Sequence, residues 1–152
     1  MKQGENQGEG HEPHDVSGSA IREKLWPEVH SPYPEITVIP DEIAGILEQL
    51  SVWQNLVSHA KGFWDEAEGV DVTHGTKFML MAGELGEAFE ALREGNPPSK
   101  KIPGYSCVEE ELADAILRIL DWGHEHGYDI GAAVVTKLFY NETRPRLHGK
   151  KF

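Results

Sequence analysis

Residues 76–93 read TKFMLMAGELGEAFEALR, and this stretch decides the fold class. Its apolar side chains recur at intervals of three and four residues, which is the period of one face of an α-helix. Gly95 and the prolines Pro97 and Pro98 follow, and such residues end helices. The stretch therefore predicts a long helix with an apolar core stripe. The residues of that stripe are Phe78, Met81, Leu85, Ala88, Phe89 and Leu92.

Three further segments show the same helical period, and each has polar residues that can cap its start. The caps are Asp41 for the first helix, the capping box of residues 106–109 for the third and Asp129 for the fourth. We expect the first helix to end near Gly62 and the third near Gly127. The predicted core stripes are Ile43, Ile46, Leu47, Leu50, Trp53 and Val57, then Leu112, Ala115, Ile116, Ile119 and Leu120, then Ile130, Val134 and Leu138.

The fold class predicted from these helices is all-α, because no segment alternates with period two for long enough to be a strand. We expect residues 41–152 to form an antiparallel bundle of four main helices. Residues 1–40 are rich in proline and glycine and are expected to form an irregular arm. A bundle this small often buries its remaining apolar faces against a second copy, so a homodimer, homotetramer or other higher assembly is expected.

Composition excludes several classes of partner. The 152 residues carry 26 acidic and 14 basic side chains, which gives a formal net charge of −12. This charge argues against a nucleic-acid polymer and against an anionic membrane, since both require a basic surface. No apolar run is long enough for a signal peptide or a membrane span, and the single cysteine cannot form an internal disulfide. These features together predict a cytoplasmic protein.

Carboxylates stand on two helix faces where a purely structural helix would carry Leu or Ala. Glu84 and Glu87 share a stripe of the second helix, and Glu111 and Asp114 lie one turn apart on the third. If these helices are antiparallel neighbours, the four carboxylates converge and require a cation or a set of basic groups. Ligands that are all oxygen favour Mg²⁺ or Mn²⁺. The four acids are therefore candidate metal ligands.

Two structural interpretations compete with the metal site. Most charged residues of helices are simply exposed to water, so each acid pair could be a solvated flank. On the third helix, Arg118 could instead pair with Asp114 or Asp121 and make the stripe a ladder of salt bridges. One arginine against three acids leaves such a ladder short of positive charge, which favours the metal.

The fourth helix carries the opposite charge. Lys137, Asn141 and Arg144 share one face, and two cations beside an amide suit an anion with several oxygens. A run of cations at a helix C-terminus also complements the helix dipole, which is the structural alternative. Next to a carboxylate cluster, this basic face is a candidate phosphate-binding site.

The acid pairs resemble the signature of the MazG-like nucleotide pyrophosphohydrolases, a family of the all-α NTP pyrophosphatase superfamily. That signature is Glu-Glu-x-x-Glu, a variable spacer and Glu-x-x-Asp, and the spacer here is residues 88–110. Gly83 departs from the pattern, since the family usually has its first Glu at this place. The end of the first helix and the basic last helix also look like the family's, and the resemblance covers residues 43–152.

The resemblance implies hydrolysis of a nucleoside triphosphate, NTP or dNTP, to the monophosphate and pyrophosphate. Its implied cofactor is Mg²⁺, or Mn²⁺, held by the four acids, which would form the catalytic centre. One of these acids, or Asp121, would accept the proton of the attacking water. The basic face would bind the phosphates, and Trp64 and Asn55 are candidates for contact with the nucleobase.

Two other functions remain open from the sequence. A non-catalytic helical protein could use the same faces to bind a nucleotide or a partner protein, and it would bind Mg²⁺–NTP without turnover. A di-iron or di-manganese carboxylate bundle would show metal colour or redox chemistry. Such bundles use Glu-x-x-His pairs, and neither acid pair has a histidine three residues on.

Overall fold

In the computed structural model the described part of the chain, residues 40–149, is built from four α-helices and two short 3₁₀ turns. The helices are α1 Pro40–Ala60, α2 His74–Arg93, α3 Cys107–Glu125 and α4 Ile130–Glu142, and the 3₁₀ turns are Glu66–Glu68 and Arg146–Gly149. Within these residues there is no β-strand, only an isolated bridge between Pro98 and Ser106. The all-α prediction is confirmed.

Local capping sets the starts of α3 and α4 as predicted. The Ser106 hydroxyl accepts a hydrogen bond from the backbone N–H of Glu109, whose carboxylate accepts one in return from the N–H of Ser106. These hydrogen bonds from Ser106 lower the pKa of Glu109. Asp129 caps α4 by accepting a hydrogen bond from the N–H of Ala132. Both helix starts are therefore local features of the chain.

One predicted helix start was wrong, and one predicted segment lies outside the described residues. Asp41 does not cap α1, because the helix begins one residue earlier at Pro40, and proline suits the first turn of a helix. The expected arm up to residue 39 and the basic residues Lys150 and Lys151 are not part of the described chain. None of the described helices combines the length and the apolar character needed to cross a bilayer.

Helix α3 lies between α1 and α2 and packs against both, whereas α4 packs mainly against α1. Helices α2 and α3 are antiparallel neighbours. Asn96, just after α2, accepts a hydrogen bond from the N–H of Val108 at the start of α3, and Glu84 in the middle of α2 contacts Arg118 further along α3. This pairing satisfies the condition under which the acid pairs converge. The closed four-helix bundle stays a prediction.

Aromatic rings join the start of α2 to the end of α3. The rings of Trp122 and Tyr128 are stacked, with centroids 5.3 Å apart. Phe78 and His74 of α2 meet Trp122 edge-on, at 4.8 Å and 5.6 Å. Edge-to-face pairs at these distances are favourable contacts of aromatic rings. They hold α2 and α3 together at the ends of the two helices that lie opposite the connecting loop.

The interior of the described fold is lined by small and polar side chains. Its buried apolar residues are Ala44, Ala88, Ala91, Ala115, Leu120 and Val135. Its buried polar residues are Ser51, Asn55, Ser58, Glu84, Ser99, Glu110, Glu111 and Asp121. Small side chains at a helix contact allow the two axes to approach closely. The helices therefore meet through their polar stripes.

The predicted core stripes are mostly exposed, so these predictions were largely wrong. Their buried members are Ala88, Ala115 and Leu120. Their exposed members are Ile46, Trp53 and Val57 on α1, Phe78, Leu85, Phe89 and Leu92 on α2, Leu112, Ile116 and Ile119 on α3, and Val134 and Leu138 on α4. On α2 and α3 the reason is that the buried carboxylates of Glu84 and Glu111 lie on the faces that meet, so the large apolar side chains of these two helices point away from the contact.

Replacing Gly131 by Ala is expected to destabilise the fold. A Cβ atom at this position would lie 2.6 Å from the backbone carbonyl oxygen of Ala44, so α4 could no longer approach α1 as closely. Overpacking of this kind lowers the free energy of unfolding by about 1–3 kcal/mol. Urea unfolding followed by circular dichroism measures the change.

Gly45→Ala is the matched control on α1, because a Cβ atom there would meet nothing within 4 Å. Loss of a glycine from a helix interior should raise the free energy of unfolding by about 0.5–1 kcal/mol. Equal stability of the two variants would contradict the close contact between α4 and α1.

Candidate functional site

Three of the four predicted acids come together between α2 and α3. Glu84 of α2, and Glu111 and Asp114 of α3, each offer a carboxylate oxygen, and these atoms lie within 4.8 Å of one another. Glu84 and Glu111 are buried and Asp114 is half-buried. We call these residues the acidic triad. Because two of its members are buried, the triad is not a solvated helix flank.

Arg118 compensates one member of the triad. Its Nε atom donates a hydrogen bond of 2.6 Å to Oε1 of Glu84, across the contact between α2 and α3. The alternative ladder placed Arg118 against Asp114 or Asp121 on its own helix, whereas the structure directs it to the neighbouring helix. The ion pair has one buried partner, and breaking it would leave the Glu84 charge without a partner in the interior. The other two acids of the triad receive no such hydrogen bond from Arg118.

Glu111 has a buried carboxylate oxygen without compensation. In the described part of the chain its Oε2 atom has no hydrogen-bond partner, and its Oε1 atom lies 4.0 Å from Nζ of Lys101. Burial raises the pKa of this carboxyl above its ordinary value of 4.5, and the neighbouring carboxyl of Glu84 raises it further. The folded chain therefore favours a bound proton or a bound cation at this place.

The fourth predicted ligand, Glu87, is exposed and is not one of the three acids that converge. Its negative charge nevertheless contributes to the raised pKa of Glu111. Gly83, which replaces a glutamate of the family signature, is also exposed, and a Cβ atom there would meet nothing within 4 Å. This departure thus leaves the acidic triad unaltered. A role of Glu87 as ligand stays a prediction.

The donor set of the acidic triad fits a hard divalent cation. Carboxylate oxygens are the ligands that Mg²⁺ and Mn²⁺ prefer. An Mg–O distance of about 2.1 Å puts opposite ligands about 4.2 Å apart, so modest side-chain rotation would bring the three oxygens to one ion. The uncompensated oxygen of Glu111 is the kind of buried group that such an ion would stabilise.

A further buried acid, Asp121, brings together the two residues that are candidates for contact with the nucleobase. Its carboxylate accepts hydrogen bonds from Nδ2 of Asn55 at 3.0 Å and from Nε1 of Trp64 at 3.1 Å. Asn55 also donates to Glu125, which has His59 as a further partner. Asn55 and Trp64 are therefore held by hydrogen bonds within the chain. Their contact with a nucleobase stays a prediction.

Lys77 is a residue of this region that the sequence reasoning missed. Its Nζ atom lies 3.7 Å from the ring centroid of Trp64 and donates a hydrogen bond to the carbonyl oxygen of Phe63. Burial lowers the pKa of Lys77 from its ordinary value of 10.5. The available signal was its spacing, because Lys77 stands seven residues before Glu84 and so on the same face of α2.

The structure does not bring the basic face of α4 to the acidic triad within one chain. Lys137 and Asn141 are exposed, and the Lys137 Nζ atom lies 4.4 Å from the ring centroid of Tyr140. The guanidinium of Arg144 lies 5.7 Å from the same ring. Over residues 40–149, no hydrogen bond or ion pair links these three residues to the triad. Phosphate binding by this face stays a prediction.

Comparison with known proteins adds no relative. No protein-family model, no curated protein and no solved structure matches the chain. The resemblance to the MazG-like pyrophosphohydrolases therefore depends on the acid pairs, their spacing and the ends of the first and last helices.

The raised pKa of Glu111 has a measurable consequence for stability. Because the folded state holds this proton to higher pH than the unfolded state, the free energy of unfolding falls as the pH rises from 4.5 through the raised pKa. The substitution Glu111→Gln removes this pH-dependent fall in the free energy of unfolding, because an amide does not ionise. In EDTA at mildly alkaline pH, the variant is expected to melt at a higher temperature than the original chain.

Added Mn²⁺ should reverse that order, because the original chain retains the ligand that the variant has lost. Thermal unfolding followed by circular dichroism, with EDTA or with Mn²⁺, measures both effects. Glu48→Gln, at an exposed position of α1, serves as the control and should behave like the original chain. An equal rise in melting temperature with Mn²⁺ for Glu111→Gln and the original chain would contradict metal binding by the triad.

Proposed function

We propose that the protein hydrolyses a nucleoside triphosphate, NTP or dNTP, to the monophosphate and pyrophosphate with Mg²⁺ as cofactor. The observation that carries the proposal is the convergence of Glu84, Glu111 and Asp114, of which the first two are buried, with one oxygen of Glu111 that lacks a hydrogen-bond partner in the described part of the chain. The MazG-like resemblance supports it from the sequence, because these acids belong to the signature. A cytoplasmic location is part of the proposal, since nucleoside triphosphates are intracellular substrates.

The acidic triad would hold Mg²⁺, or Mn²⁺ in its place, with Glu87 as a further candidate ligand. A bound ion would neutralise phosphate charge and lower the pKa of an attacking water. Arg118 orients Glu84 through their hydrogen bond. The buried Oε2 atom of Glu111 lacks a hydrogen-bond partner among the described residues, and a bound ion would supply the missing compensation.

Asp121 is assigned a positioning role. Its carboxylate accepts a hydrogen bond from Asn55, and the Trp64 indole N–H is shared between its two oxygens. The carboxylate in this way fixes the orientation of both donors. The proton of the attacking water would go to one of the acids at the metal or to Asp121. Asn55 and Trp64, held on Asp121, are proposed to contact the nucleobase.

Lys137, Asn141 and Arg144 are proposed to bind the phosphates of the substrate. Two cations and an amide on one face suit a polyphosphate. Helix α4 packs mainly against α1, whereas the triad lies between α2 and α3. We therefore propose that this face binds the phosphates in the oligomer and not within a single chain.

A homodimer or homotetramer would cover the exposed apolar stripes. Leu85 and Phe89 of α2 are 55% and 62% exposed, and Ile116 of the adjoining α3 is 53% exposed. Large apolar patches on a protein surface mark interaction sites. Since all four helices carry such side chains, a second copy with the same stripes is a matching partner.

Replacing Glu84 by Gln or Asp114 by Asn is expected to abolish pyrophosphate release while the helical fold persists. Each change removes a charged ligand and leaves the shape of the side chain. The assay is a panel of NTPs and dNTPs with Mg²⁺ and a pyrophosphate readout, including damaged and methylated bases. Glu94→Gln, at an exposed position beyond α2, is the matched control and should retain full activity.

Full activity of Glu84→Gln or Asp114→Asn would contradict the proposed site. If the original chain binds Mg²⁺–NTP but releases no pyrophosphate with any member of the panel, the non-catalytic nucleotide-binding function is supported instead.

Substituting Phe89 by Glu is expected to shift the assembly towards monomers. The side chain is exposed in one chain, so the new charge meets water there, whereas it would be desolvated at an interface. Analytical ultracentrifugation measures the change, and circular dichroism checks that the helices remain. Tyr105→Glu, at a loop position that is 58% exposed, is the control. A monomeric original chain would contradict this part of the proposal.

A further inference from the structure

The loop between α2 and α3 is docked beside the acidic triad through one buried side chain. Ser99 is buried, and its hydroxyl donates a hydrogen bond to the buried carboxylate of Glu110. The Ser99 oxygen in turn accepts hydrogen bonds from the backbone N–H groups of Lys101 at 3.1 Å and Ile102 at 2.9 Å. This loop segment is therefore held in one conformation on the surface of α3.

Lys101 is positioned by this docking. Its Nζ atom lies 2.5 Å from Oε1 of Glu110 and 4.0 Å from Oε1 of Glu111, a member of the triad. The Lys101 side chain is 69% exposed, so its ammonium group is open to a ligand from solvent. An ammonium has three N–H donors, and the ion pair with Glu110 leaves others free.

The second cation at these acids is already committed. Arg118 donates to the buried carboxylate of Glu84 at 2.6 Å, and moving it would leave that charge unpaired. Among the described residues that contact Glu84, Glu110 or Glu111, Lys101 is the cation whose side chain is the more exposed, at 69% against 41% for Arg118. It stands next to the triad, at the side of Glu111.

We infer that Lys101 binds the pyrophosphate portion of the substrate, and this inference rests on the proposed function. The acids that hold the metal must lie at the phosphorus that is attacked. A cation beside them reaches the neighbouring group of the substrate, and of the two neighbours, sugar and phosphate, the phosphate carries the negative charge that attracts it.

The reaction places charge where Lys101 can meet it. The oxygen of water forms a bond to the α-phosphorus, and the bond from that phosphorus to the bridging oxygen of the β-phosphate breaks. The bridging oxygen leaves with the electron pair as part of pyrophosphate, and the proton of water is released to an acid at the site. Hydrogen bonds from Lys101 would stabilise the negative charge that develops on this leaving group.

Lys101→Gln tests the inference, with Lys100→Gln as the matched control one residue away. Lys100 is exposed, as Lys101 is, and the ion pairs with Glu110 and Glu111 belong to Lys101. Loss of a charged hydrogen bond should raise KM for the triphosphate, and the inhibition constant of pyrophosphate, about tenfold or more. Lys101→Arg keeps the positive charge, so its KM and its inhibition constant for pyrophosphate should lie closer to those of the original chain.

A purely structural role of Lys101 would have a different signature. It would lower the melting temperature and kcat through a displaced loop, as Ser99→Ala would, and leave pyrophosphate inhibition unchanged. Equal values of KM and of pyrophosphate inhibition for Lys101→Gln and Lys100→Gln would overturn the inference.

Direct binding separates this inference from the proposed function. Isothermal titration of pyrophosphate in the presence of Mn²⁺ needs no turnover. If the original chain hydrolyses no triphosphate, the proposed function fails. The inference predicts that Lys101→Gln binds Mn²⁺–pyrophosphate about tenfold more weakly than Lys100→Gln. Equal affinities of the two variants would overturn it.

Discussion

The ion pair between Glu84 and Arg118, made across the contact of α2 and α3, is the constraint on which the rest of the structure depends. A buried carboxylate without its partner is strongly destabilising, so the two helices must meet on the faces that carry these residues. Ala88 and Ala115, each about one turn from a member of this pair, are buried, and small side chains allow helices to approach closely. The large apolar side chains of both helices are thereby directed outwards.

The same contact leaves an electrostatic imbalance that a ligand can relieve. Arg118 compensates one acid, but Glu111 has a raised pKa and a buried oxygen that finds no hydrogen-bond partner within residues 40–149. A site that costs stability when empty gains stability when a cation binds, because the ligand favours the folded state. The loop residue Lys101, held on Glu110, adds positive charge at the edge of the site. The proposed metal site and the proposed anion site would therefore be adjacent.

Part of the candidate site could be read from spacing, and part could not. Helical periodicity placed Glu84 with Glu87 and Glu111 with Asp114, and three of these four acids do converge. The exposure of Glu87 did not follow from periodicity, because a single stripe of a helix is wide enough to be partly buried. Contacts between distant segments, such as Asp121 with Trp64, have no counterpart in local spacing.

The sequence by itself determined the helices, because caps and periodicity act within a few residues, as the capping box at Ser106 shows. It also determined which acids share a helix face. Only the tertiary structure decided which face of each helix turns inward. Both faces of α2 and α3 are plausible contacts in isolation, and the choice depends on a partner far along the chain. Pairing of Glu84 with Arg118, 34 residues apart, made that choice in favour of the polar face.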